Sequence, residues 1–152
     1  MPGELESLAY ALSWRSLRQQ EGVLTELRAR SGVLLGATAF VASFLGGRAL
    51  DTGVSWLAIP GLALALVSLA LAIYVLAPKG DLNFAIHGDA VYEHFTRAGV
   101  DLAETHRTLA YWIRSAWDSN QTIIDRLVRV FWWACAALLS SLLLWSLALA
   151  LD

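Results

Sequence analysis

Residues Arg28–Arg48 read RARSGVLLGATAFVASFLGGR, and the fold turns on how this stretch is understood. Its middle, Ser31 to Gly47, is seventeen residues without a charge, and no proline separates it from the charged, heptad-like segment before it. Three readings compete: a buried core helix, a cleaved signal sequence, or a membrane span that continues a helix begun in water. Small residues such as Ala37-Thr38-Ala39 resemble a signal cleavage site. A signal peptide, however, opens on a short basic segment, whereas about thirty residues of charged helix precede Ser31. An uncleaved span is the expectation.

Composition extends that reading outward. The chain has 152 residues, 57% of them hydrophobic and 16% charged, with a mean hydropathy of +0.55. Soluble domains carry roughly 45–50% apolar and ~25% charged residues. The missing charge is concentrated: Thr52 to Pro78 has none in 27 residues, and Val130 to Leu151 none in 22. About 20 apolar residues cross a ~30 Å hydrocarbon core as a helix, and helices are the only non-barrel way to satisfy the backbone there. The predicted fold is therefore all-α, an integral membrane protein with three transmembrane helices and a cytoplasmic helical stalk made by extensions of the first and last helices. Three crossings place Arg15, Arg18, Arg28, Arg30, Lys79, Arg97, Arg107, Arg114, Arg126 and Arg129 on one side and Arg48 alone on the other. That asymmetry predicts an inner-membrane protein with its N-terminus cytoplasmic and its C-terminus outside. A net charge of −2 gives no reason to expect a nucleic-acid partner.

The expected segments form a single membrane domain. They are a cytoplasmic helix over 4–30, a span over 31–47 and an outer loop over 48–54. A second span covers 55–77, a cytoplasmic loop with a short helix 78–100, a cytoplasmic helix 101–129, and a third span 130–151. In the first helix Tyr10, Trp14, Leu17 and Leu24 share a four–three series that Glu21 interrupts. Gly46-Gly47 is expected to end it. Pro60 falls in the first turns of the second span, where it costs least, and Pro78-Lys79-Gly80 closes that span. Asp89 and Gly99 bound the short helix, and Asp101 with Glu104 makes a D-x-x-E variant of the capping box. The last helix carries Leu102, His106, Leu109, Ile113, Ala116, Asn120, Ile123 and Leu127 in unbroken steps of four and three. This is a heptad seam with two polar members. Glu26–Arg30 and Asp125–Arg129 are i,i+4 pairs.

Several residues are candidates for function. Gly32-x-x-x-Gly36, continued by Ala39, Ser43 and Gly47, permits close helix approach in lipid; it serves either self-association or packing on the second span near Gly61 and Ala65. Leu109, Ile113, Asn120 and Leu127 are the expected packing or oligomer contacts of the stalk. Arg107, Tyr111, Trp112, Arg114 and Trp117 form a possible ligand pocket, although aromatics beside a seam more often belong to a core. Trp132, Trp133 and Trp56 fit interfacial belts. Ser43, Thr38, Ser68, Ser140 and Ser141 are the mild polar groups available to line a pore. His87, Asp89, Glu93 and His94 cluster, but two histidines seven apart match no zinc spacing. The lone Cys135 excludes an internal disulfide. No ionisable residue lies inside the three uncharged runs, which disfavours a proton-coupled transporter. No P-loop, G-x-S-x-G or H-E-x-x-H motif occurs. No enzyme, metal or cofactor is expected.

The layout resembles the small prokaryotic membrane effectors of nucleotide-signalling antiphage systems, the Pycsar transmembrane and SLATT groups. LRARSGVLLGATAFVASFLGG (27–47) and WDSNQTIIDRLVRVFWWACAALL (117–139) carry the likeness. The resemblance implies a homo-oligomer that disrupts the inner membrane on a cytoplasmic signal, a cyclic nucleotide in those systems, often sensed by a soluble domain. These residues leave no room for such a domain, and no binding residue is carried over. The leading expectation is a non-enzymatic oligomeric membrane effector or pore-forming protein. The alternative is a membrane-anchored scaffold that recruits a cytoplasmic protein through its stalk. An enzyme acting through His87–His94 comes third.

Overall fold

The structure, a computed structural model, describes residues 4–48, 56–80, 82, 84 and 101–151. It consists of three long helices with no strand among the described residues. Helix α1 spans Glu4–Val41 and passes through a π turn at Ala42–Gly46. Helix α2 spans Ala58–Leu76, and α3 spans Leu102–Leu151. All three are long and apolar enough to cross a membrane. The short helix expected within 78–100, including Asp89 and Gly99, lies outside the described residues.

Local chemistry explains the helix ends. The Asp101 carboxylate accepts the Leu102 amide at 2.7 Å, and its carbonyl accepts the Thr105 amide at 2.9 Å. Asp101 marks the helix start as expected, but its carboxylate takes the adjacent Leu102 amide and Glu104 turns to Arg107, so neither contact is the expected capping box. Helix α2 stops at Leu76 because Ala77, at φ −57° and ψ 136°, precedes Pro78, whose ring disfavours the helical region for its neighbour. Gly46-Gly47 does not end α1: Gly47 is right-handed helix at φ −57°, ψ −50°. The missing Gly46 side chain serves packing instead.

The chain divides into two compact units, Met1–Thr25 with Lys79–Ile124, and Glu26–Pro78 with Asp125–Asp152. In the first, α1 and α3 run parallel: Tyr10 stacks on His106 with ring centroids 5.3 Å apart, and the Gln20 amide donates to the Trp117 carbonyl at 3.0 Å. Leu17, Leu24, Leu109, Ile113, Asn120 and Ile124 are buried. The seam differs from expectation at three places. Gln20, not Glu21, occupies the inward position, because a neutral amide costs far less to bury than a carboxylate, which stays in water. Ile124 is buried where Ile123 is half-buried, and Leu102 is 67% exposed in the first turn of α3.

In the second unit α2 runs antiparallel to α3. Ala58, Gly61, Ala65, Ser68, Ala72 and Val75 of α2 are all buried, in steps of three and four that keep one face inward. Five of the six are glycine, alanine or serine. Such small residues let helix backbones approach closely, which increases the van der Waals contact between them. On α3 the series Leu127, Ala134, Ser141 and Ala148, spaced by seven, is no more than 2% exposed.

Candidate functional site

The second unit holds a polar and aromatic lock between its helices. The Ser68 hydroxyl on α2 donates to the Ala134 carbonyl on α3 at 2.9 Å and lies 3.4 Å from the Thr38 hydroxyl on α1. Ser141 donates to the Gly61 carbonyl at 2.8 Å, and the Trp145 indole to the Ala58 carbonyl at 3.2 Å. The Trp145 ring is 1% exposed and wedged between two glycines. A Cβ on Gly61 would lie 2.6 Å from its Nε1, and one on Gly46 3.1 Å from Cζ2. Thr38, Ser68 and Ser141 are therefore occupied inside the unit and line no pore within one chain. Ser43 and Ser140 are exposed.

The outer face of α1 is the converse. Gly32, Gly36, Ala39, Ser43 and Gly47 are exposed, and a Cβ on Gly32, Gly36 or Gly47 would meet no atom within 4 Å. Packing on α2 near Gly61 and Ala65 does not use this stripe, since Gly61 faces Trp145. Phe40 and Phe44, stacked with centroids 5.8 Å apart, flank it.

The stalk candidates fall into two groups. Leu109, Ile113 and Asn120 are buried in the first unit and Leu127 in the second, all within the chain. The possible ligand contacts separate. Arg107, Tyr111 and Arg114 line a groove of about 410 Å³ with Leu5, Glu6 and Ser13. Trp117 lines a different cavity of about 250 Å³ with Gln20 and Gln121, and Trp112 lines neither. The groove's guanidiniums are already neutralised. Arg107 bonds Glu104, and that hydrogen bond followed by its charge raises the arginine's pKa above the ordinary value. Arg114 bonds Asp118 at 3.2 Å and covers the Trp117 ring at 5.1 Å. An anionic ligand would have to displace these carboxylates.

Gln20 was not singled out in the sequence, yet it is a buried polar group of the first unit that ties α1 to α3. Its Nε2 donates to the Trp117 carbonyl and to Gln121 Oε1 at 2.9 Å, while its buried Oε1 has no partner. Its place between Leu17 and Leu24 was the available signal. His87, Asp89, Glu93 and His94 lie outside the described residues, among which no metal-binding cluster occurs. Compared with protein-family models, curated proteins and solved structures, the chain matches none.

Proposed function

We propose that the chain is a non-enzymatic inner-membrane protein that crosses the bilayer three times, N-terminus inside, and self-associates through the outer face of α1 to act on the membrane as an effector. The supporting observation is the open stripe Gly32, Gly36, Ala39, Ser43 and Gly47, whose glycines have free space where every inward small residue of α2 is used. Exposed glycine and serine at four- and three-residue steps allow a second helix to approach at backbone distance. The interior of the second unit is filled by Trp145 and its glycine neighbours, which favours a conducting path built from several copies. The sequence resemblance supports a cytoplasmic trigger.

The test is disulfide trapping of Ser43→Cys in a Cys135→Ala background in native membranes, with a membrane-potential dye on induction. Trapped oligomers and a collapsing potential are expected. No trapping, with intact potential under every condition including phage infection, overturns the reading. A scaffold is the second reading, favoured by the exposed stripe Leu5, Leu8 and Leu12, with Tyr111 also exposed. Such a patch outside the bilayer marks a protein contact. A stoichiometric soluble partner bound by electrically silent protein would favour the scaffold.

A further inference from the structure

The second unit carries a groove that the lock leaves open. It encloses about 380 Å³ between Leu64, Val67 and Leu71 of α2 and Val130, Trp133 and Ala137 of α3, and extends down to Ser140. Val130 to Ser140 spans about 15 Å along α3 at ~1.5 Å per residue. Its lining is almost wholly apolar, and alanines on the α3 side leave width for a chain. Tyr74 and Trp133 at the end nearer Val130 are 42% and 70% exposed.

That end is headed by charge. Arg126, Arg129 or Val130, Trp133, Ala136 or Ala137, and Ser140 follow one another at three- and four-residue steps, so both arginines stand on the groove's own stripe. They differ from Arg30, Arg107 and Arg114, each of which has a carboxylate partner on its own helix. Arg126 makes no ion pair among the described residues. The bond Arg129 makes is a long one, from Nε to the Asp125 carbonyl at 3.4 Å. Long arginine side chains at a span's end reach toward the headgroup layer.

We propose that this groove binds one anionic phospholipid of the cytoplasmic leaflet, with its phosphate held by Arg126 and Arg129 and an acyl chain lying between α2 and α3. Guanidinium groups match phosphate geometry, and the cytoplasmic leaflet is where anionic headgroups meet basic residues at the end of a span. An apolar groove whose cationic head makes no ion pair among the described residues fits a lipid better than a second copy's uncharged span, which brings no carboxylate to the arginines. The proposal rests on the membrane-spanning reading above.

The test uses the full chain extracted from membranes in detergent and examined by native mass spectrometry during titration with phosphatidylglycerol or phosphatidylcholine of identical chains. Recovery in the membrane fraction reports the spanning reading separately from lipid binding. Wild type is expected to retain one phosphatidylglycerol per protomer, at concentrations where phosphatidylcholine is not retained. At about fivefold in affinity per arginine at the surface, Arg126→Gln with Arg129→Gln should remove that preference. Ala136→Phe, which fills the groove, should lower retention of phosphatidylglycerol while the arginines remain. Equal retention of the two lipids by wild type, an unchanged preference in the double variant, or a lipid-free dimer that buries the groove each overturns the proposal.

Discussion

Gly61→Ala is the sharpest perturbation of the packing. The new methyl would stand 2.6 Å from Trp145 Nε1 and 2.7 Å from Cδ1. The ring has little room to retreat, because its far edge already fills the space that a Cβ on Gly46 would take, 3.1 Å from Cζ2. Relief requires the ring to rotate and break its bond to the Ala58 carbonyl. Overpacking a close-fitted site costs about 1–3 kcal/mol, and an interhelical hydrogen bond in a membrane protein is worth about 0.6 kcal/mol. Alanine's better helix propensity returns at most ~1 kcal/mol. The clash wins, with a net loss of about 0.5–2.5 kcal/mol. Unfolding in mixed sodium dodecyl sulfate and dodecylmaltoside micelles, followed by circular dichroism, measures it. Trp145→Phe removes the clashing pyrrole edge, so the double variant should lose less than the sum of the singles. A Gly61→Ala midpoint equal to wild type, or strict additivity with Trp145→Phe, would refute the wedge.

Gly36→Ile gives the opposite pattern: with nothing within 4 Å of the new Cβ, monomer stability should hold to within about 1 kcal/mol while Ser43→Cys trapping is lost. Ser68→Ala removes the bond to Ala134 and should cost roughly 0.6–1.7 kcal/mol in the same micelle assay. Gln20→Leu removes two hydrogen bonds but also the unpartnered Oε1, whose burial costs about 1–3 kcal/mol; the net change in thermal unfolding should be near zero. Gln20→Ala opens space in the seam and should destabilise by about 1–3 kcal/mol. Asp101→Ala removes the cap on the Leu102 amide and should lower stability by about 0.5–2 kcal/mol, read by hydrogen exchange at the start of α3.

Much of this was legible because charge and period are one-dimensional signals. Uncharged runs located the three apolar helices, and Asp101 marked the start of α3 through its own amide-accepting oxygen. Leu109, Ile113, Asn120 and Leu127 were readable as one face, since seven residues nearly complete two turns. The choice between Gln20 and Glu21, or Ile123 and Ile124, was not, because adjacent residues lie only about 100° apart on a helix and the partner helix decides which turns inward. The Trp145 wedge was hidden for another reason: spacing reports a face, not which glycine on another helix meets a ring. Its signal lay in the run Ala58, Gly61, Ala65, Ser68 and Ala72, of which only Gly61 and Ala65 read as packing residues and Ser68 read as a pore-lining group.

The central claim is a membrane-embedded protein that assembles through the open face of α1. Single-molecule photobleaching of labelled protein in native-membrane nanodiscs tests it most directly. Wild type should bleach in several steps per disc and Gly36→Ile in one. Single-step bleaching of the wild type would contradict the claim.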